Sequence, residues 1–410
     1  MRVLTNIGTL ARCLAEGEQR DIHAIPDAAL AWEGDTIRWV GRRSELPAEY
    51  GGAEVVDAGG ATVVPGLIDC HTHLAFAGWR AEEFEQRIMG RSYLDIAREG
   101  GGIARTVRLT RAAGEEELAD RASGFLSDML SLGVTTVECK SGYGLDRENE
   151  LKLLSVYQRL SGSQPVRLVP TFLGAHAVPP ELDDDRQRYI SLLVDSLIPE
   201  VGKAGLARFC DVFVESSAFT VNEARRILEA GKAAGLRPKL HADQLSPGGG
   251  AELAAEVGAV SADHLECASD AGIAAMARAG VVAVSLPIAT LYLGQKPMPA
   301  RRFIEAGVAV AVATDFNPGS APSCHLAVAL TLACTLQRMT PAEALKGATI
   351  YAARAVGLES RIGSLEAGKA ADFALIGAPD VTQWLYNLRP NACLATVATG
   401  TMFRNAGYAP

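Results

Sequence analysis

The chain carries seven histidines, at positions 23, 71, 73, 176, 241, 264 and 325. Five of them, His71, His73, His176, His241 and His264, stand at or just past the C-terminal end of an apolar, β-branched run. The first pair lies in PGLIDCHTHLAFAGWR, residues 65–80, with one residue between them. In an extended strand, side chains two apart point to the same side, so both imidazoles can face one point in space. Converging imidazoles suit a divalent metal. Asp315 occupies the same position after a later run, in VAVATDFNPGS. His71, His73, His241 and Asp315 therefore form a candidate set of three nitrogens and one oxygen for one zinc or iron ion per chain, with a position left for water. A metal held in this way acidifies that water toward neutral pH and makes it a hydrolytic nucleophile. A lone H-x-H is equally well explained by polar residues at a strand end. Five histidines and an aspartate in equivalent positions are not.

These side chains converge only if the strand ends do. The middle of the chain alternates apolar β-branched runs with amphipathic stretches. Strands are predicted at 63–70, 134–140, 166–173, 209–215, 238–242, 259–264, 281–286 and 308–314. Helices are predicted at 115–132, 147–160, 186–204, 222–234, 249–257, 270–279 and 300–306, with 325–337 and 341–356 closing the region. Such alternation indicates parallel βαβ units. Eight of them over residues 65–356 fit a (β/α)8 barrel, which gathers its C-terminal strand ends around one mouth. The first run is read as a single strand from Thr62 through Pro65 to the two histidines. A doubly wound sheet is the alternative. It would normally announce itself with a phosphate-binding glycine motif after a strand. The glycine triplets at 100–102 and 248–250 do not fit that motif and are read as loops. No lysine ends the fourth strand, which finishes Val212-Phe213-Val214-Glu215, so nothing there could bridge a second metal. Lys140, at the end of the second strand, is read as a substrate or structural residue.

Both ends of the chain read as short strands. Residues 29–32 and 36–40 flank the turn 33–35 as a hairpin, and 53–56 follows. Residues 371–376 and 394–398 have the same texture. One small β-sandwich domain, assembled from 1–64 and 357–410, is the expectation.

Composition narrows the class. With 48% hydrophobic and 21% charged residues, the 410-residue chain has ordinary soluble composition and ample material for a large core. A net charge of −9 argues against nucleic acid as a partner. No signal peptide or membrane-spanning segment is read. The eight scattered cysteines (13, 70, 139, 210, 267, 324, 334 and 393) lack a C-x-x-C pair and suggest reduced thiols in a cytoplasmic protein. Cys70, beside His71, is read as buried packing.

PGLIDCHTHL, the histidines ending the fifth and sixth strands, the aspartate after the eighth and ADFALIG near the C-terminus together resemble the amidohydrolase superfamily. The longer stretches HTHLAFAGWRAEEFEQR, GGGIARTV, VECKSGYGLD, FLGAHAVPPE, HADQLSPGGGAELAAEVGAVSADHLE and ATDFNPGSAPS resemble one family within it, and cover nearly the whole chain. That family opens the ring of 4-imidazolone-5-propanoate, hydrolysing its cyclic amide C–N bond to N-formimidoyl-L-glutamate in L-histidine breakdown. The resemblance implies a metal-dependent hydrolase with this small molecule as its partner, acting as a homodimer. It implies that His71, His73, His241 and Asp315 hold the metal. It implies that Arg80, Tyr143, His176 and Gln244 line the substrate pocket and that Asn317, Gly319 and Ser320 hold the substrate from the loop after the eighth strand. His264 would face the metal-bound water. Some family members carry Glu where this chain has Gln244, and a glutamine cannot take up a proton. Base duty therefore falls on Asp315, His264 or both.

Two other classes would share part of this pattern. A nucleobase deaminase would keep the ligands and the sixth-strand histidine but would not require Arg80, and it would release ammonia. A non-catalytic barrel would not need all four ligand positions filled.

Overall fold

The computed structural model describes residues 1–405. The last five residues of the 357–410 segment lie outside the described residues. The strands, in chain order, are β1 (Arg2–Ala11), β2 (Ala24–Glu33), β3 (Thr36–Arg42), β4 (Glu54–Asp57), β5 (Thr62–Pro65), β6 (Leu67–Asp69), β7 (Val134–Lys140), β8 (Arg167–Ala175), β9 (Phe209–Val214), β10 (Arg237–Ala242), β11 (Ser261–His264), β12 (Val282–Ser285), β13 (Val310–Val312), β14 (Phe373–Ile376), β15 (Cys393–Ala398) and β16 (Thr401–Arg404). They form two sheets. One runs β6 to β13 in sequence order, all parallel. The other has the order β16-β15-β14-β5-β1-β2-β3, with β4 on β1, and so joins both ends of the chain.

Helices on the outside of the parallel sheet make it a (β/α)8 barrel. Its strands are largely buried, as a sheet covered on both faces requires: all seven residues of β7 and all six of β9 are buried. Several helices begin at side-chain caps, among them Asp146, which accepts from Asn149 N–H, and Thr220 and Thr340, each in a reciprocal capping box. The end-strand sheet has its own core. Leu30, Trp32, Val63, Phe373 and Val397 belong to it, with Trp32 edge-on to Phe373 at 5.3 Å between ring centroids.

Closure of the barrel happens at the mouth. Thr72 bridges Phe316, Asp315 N–H donates to His71 C=O at 3.1 Å, and His73 N–H donates to Phe316 C=O at 2.9 Å. The seam between first and last strands is therefore built from residues beside and among the candidate metal ligands His71, His73 and Asp315.

Four local expectations are corrected. The run 62–70 is not one strand: it breaks at Gly66, so β5 belongs to the end-strand sheet and β6 to the barrel. A Cβ at Gly66 would collide with the Thr135 side chain, so this close crossing needs glycine. The helix read at 186–204 contains a π-helical stretch at Leu193–Leu197, and the one at 341–356 splits into Pro341–Gly347 and Ile350–Ala355. The loop after β6 holds three helices, Ala81–Ile88, Tyr93–Arg98 and Gly102–Ala112. The glycine triplets are only partly loop: Gly102 and Gly250 each open a helix.

Candidate active site

His71 and His73 follow β6, His241 lies in β10, and Asp315 stands just past β13. The barrel brings them together. Ring centroids are 4.6 Å apart for His71 and His241, 5.4 Å for His71 and His73, and 5.5 Å for His73 and His241. Asp315 Oδ1 lies 3.3 Å from His71 Nε2 and 3.4 Å from His73 Nε2. Ligand atoms of His71, His73 and Asp315 all fall within 4.8 Å of one another, as do those of His71, His241 and His264. All are buried, yet Nε2 of His71 and Nε2 of His241 have no hydrogen-bond partner. Buried polar atoms are normally paired. Unpaired imidazole nitrogens converging on a carboxylate fit a cation, and the nitrogen and oxygen donors fit zinc or iron. A third close trio, His71, Glu138 and Asp263, is no such site, because the Lys140 and Lys239 ammonium groups already fill it.

Carboxylates behind the imidazoles fix their orientation. His71 Nδ1 donates to Asp263 Oδ2 at 2.6 Å, and His241 Nδ1 donates to Asp211 Oδ1 at 3.1 Å. A ring that donates from Nδ1 keeps its Nε2 lone pair for a metal. Burial drives His241 down to about 3, against the pull of Asp211, so the ring is neutral as a ligand must be. Burial pushes the Asp315 carboxyl up, but its contacts with His71 and His73 outweigh that and hold it well below the ordinary range.

Two of these residues have unusual backbones. His264 has φ +78° and Asp315 φ +58°, in the left-handed region that side chains other than glycine rarely adopt. Such conformations cluster at functional sites, where the surroundings over-determine them.

A cavity of about 210 Å³ opens over the cluster, and Tyr143, His176, Gln244, His264, Asn317 and Ser320 line it with Arg80. His176 stacks on His73 at 5.0 Å and its Nδ1 donates to Gly142 C=O at 3.0 Å. Burial lowers its pKa well below the usual value, so Nε2 is a neutral acceptor. Arg80 is no surface ion-pair residue: it is 4% exposed, and its Nε and Nη1 have no hydrogen-bond partner. Glu83 Oε2 lies 3.9 Å from Arg80 Nη1, beyond hydrogen-bond reach. The turn after β13 is tied by Asn317, whose Oδ1 accepts from Gly319 N–H at 2.9 Å and Ser320 N–H at 2.8 Å. Gly319 itself packs against the Arg80 guanidinium, which a Cβ there would overlap.

The loops are held by buried carboxylates that sequence reasoning did not single out. Glu150 accepts from the N–H groups of Gly142, Gly144 and Leu145, which sets the turn bearing Tyr143. Glu215 accepts from Leu245 N–H and Ser246 N–H, beside Gln244. Asp243 accepts from Gly248, Gly250 and Ala251, so the glycine triplet at 248–250 cradles the chain's own carboxylate instead of a phosphate. Asp211 and Asp263, behind the ligands, were also missed. A signal was present: polar residues recur with period two inside otherwise apolar strands, as in Thr136-Glu138-Lys140 and Lys239-His241-Asp243. Lys140 proves structural, with no exposure and three carboxylates around it.

The chain matches the amidohydrolase family model over residues 201–402. It is 48% identical over 410 residues to imidazolonepropionase of Geobacillus kaustophilus, covering 99% of this chain and 97% of the relative. It is 49% identical over 391 residues to imidazolonepropionase of an Anaeromyxobacter species, covering 94% and 92%. Among solved structures, Escherichia coli guanine deaminase superposes with a TM-score of 0.74 at 15% identity, covering 99% of this chain and all of the other. An atrazine chlorohydrolase from Arthrobacter aurescens complexed with zinc gives 0.69 at 17% identity, covering 98% and 95%. The structural neighbours share the fold, and the long, nearly half-identical alignments decide the family. The chain belongs to the imidazolonepropionase family of the amidohydrolases.

Proposed function

We propose that the protein hydrolyses the ring C–N bond of 4-imidazolone-5-propanoate to give N-formimidoyl-L-glutamate in histidine degradation, using one divalent metal, zinc or iron, held by His71, His73, His241 and Asp315. The observation that carries this is the pairing of a buried cluster of imidazoles and a carboxylate with a buried guanidinium, in the same cavity wall, whose Nε and Nη1 make no hydrogen bond. The first suits hydrolysis at a carbonyl and the second suits the propanoate tail of the substrate.

The metal, when bound, acidifies a water and polarises the ring carbonyl. The residues of the chain do the rest. The Arg80 fork anchors the carboxylate, and the Asn317 turn, with Gly319 and Ser320, closes around the tail. His176 presents Nε2 as an acceptor to a ring N–H, with Tyr143 and Gln244 completing the pocket. Asp315 accepts the proton of the attacking water and passes it to the ring nitrogen as the C–N bond breaks. His264 stabilises the charge that develops on the carbonyl oxygen. Gln244 hydrogen-bonds but takes no proton.

The eight unpaired cysteines agree with a reducing, cytoplasmic location. The exposed apolar side chains Phe84, Ile88 and Met89 offer a surface for a homodimer. Freshly made 4-imidazolone-5-propanoate, followed by its absorbance, tests the function. Loss of the substrate band with formation of N-formimidoyl-L-glutamate and no ammonia supports it; an inert substrate, or ammonia as a product, overturns it.

A further inference from the structure

Beneath the metal-binding cluster lies a closed layer of ions. Lys140 Nζ donates to Asp211 Oδ2 at 2.7 Å and Glu138 Oε1 at 3.1 Å, and lies 3.4 Å from Asp263 Oδ2. Lys239 Nζ donates to Glu138 Oε1 at 2.8 Å. All five side chains have no exposure. Asp69, also buried, stands apart, bonded to Thr314. Removing two lysines and three acids from water is costly, and a hydrophobic layer would serve stability as well. Side-chain hydrogen bonds join this layer to the candidate ligands at two points, Asp211 on His241 and Asp263 on His71.

We propose that this layer is a positioning and charge-balancing device for the metal. Asp211 and Asp263 are positioning residues that turn Nε2 of His241 and His71 inward, and the layer's net charge favours a dication over a trication. Two ammonium groups against three carboxylates leave one negative charge, and Asp315 adds a second. Three neutral imidazoles add none. With a neutral water beside it, a divalent ion cancels the total, whereas a trivalent ion leaves an uncompensated positive charge in a buried site, where charge is expensive. Lys140 matters because it draws three carboxylates together without letting them repel. The inference rests on the reading of His71, His73, His241 and Asp315 as metal ligands, and it adds a preference between oxidation states of the same ion.

The test uses the full chain loaded with zinc or with iron, in wild type, Asp211→Asn, Asp263→Asn and the double variant Lys140→Met/Asp211→Asn. Zinc affinity is measured by competition with a chelator, and the Fe(III)/Fe(II) potential by redox titration. Each single variant should bind zinc about 10–100-fold more weakly, because its imidazole loses its orienting acceptor. Asp211→Asn should raise the iron potential, since it removes a negative charge. The double variant restores the layer's charge and should bring the potential back toward wild type while zinc affinity stays low. Asp263→Asn is a parallel measurement should Asp211→Asn fail to fold. Wild-type zinc affinity in a folded single variant overturns the positioning role. A potential that does not move, or does not return in the double variant, overturns the charge-balancing role. A wild type that binds no metal refutes the reading of the ligands themselves, and this proposal with it.

Discussion

A buried guanidinium with two nitrogens that make no hydrogen bond is an expensive thing to keep, and Arg80 is one. A substrate carboxylate would pair with one of these nitrogens and Nη2 through a two-pronged fork. Arg80→Ala is therefore expected to bind metal normally and to lose about 2–5 kcal/mol in kcat/KM. Arg80→Lys should recover only part, since a point charge does not replace a fork. Steady-state kinetics with the substrate and with an analogue lacking the carboxylate decide the matter. If Arg80 holds that group, wild type and Arg80→Ala process the analogue about equally poorly. An equal loss on both compounds would make Arg80 a loop support. Proton transfer belongs to the same scale. Gln244→Glu should leave substantial activity, because the reaction already runs without a base there, whereas His264→Ala and Asp315→Ala should nearly abolish it. An Asp315→Ala enzyme with its metal retained and near-normal turnover would remove Asp315 from the proton path.

At the scale of elements, the mouth loops are rigid because carboxylates replace the hydrogen bonds that irregular backbone lacks. Glu150 alone satisfies three backbone N–H groups of the turn bearing Tyr143. Glu150→Ala leaves those donors unpaired at about 1–3 kcal/mol each. A clear fall in melting temperature and a rise in KM should follow, with metal content unchanged; an unaltered melting temperature and KM would show the turn to be held by packing. These elements also mark what the sequence discloses. All eight barrel strands and most crossover helices are legible, because apolar β-branched runs and helical stripes are strong local signals. Residues 81–112 are not: the first helix, Ala81–Ile88, is half charged, and Gly100 to Gly102 reads as a break although Gly102 starts a helix. The break at Gly66 is hidden as well, since two strands of different sheets sit almost end to end in one apolar run. The candidate ligand histidines stand out because strand ends bearing imidazoles are uncommon. The carboxylates behind them do not, because a single acid inside an apolar strand gains its meaning only from its neighbours across the barrel.

At the scale of the molecule, the barrel closes through the same residues that hold the ligands, so folding and site assembly are one event. The His71 carbonyl and the Asp315 N–H bond form the seam while their side chains face the cluster. The end-strand sheet contributes β5, which leads directly into β6 and the histidines. A ligand set completed only by the closed barrel should bind metal tightly and in a fixed ratio. The most direct test is metal content set against activity: strip the purified protein with a chelator, add back zinc or ferrous iron in measured steps, and follow ring opening of 4-imidazolone-5-propanoate. Activity should vanish on stripping and return in proportion to bound metal, saturating at about one ion per chain. Full activity in the stripped protein, or saturation at two ions, would contradict the assignment of a single metal to His71, His73, His241 and Asp315.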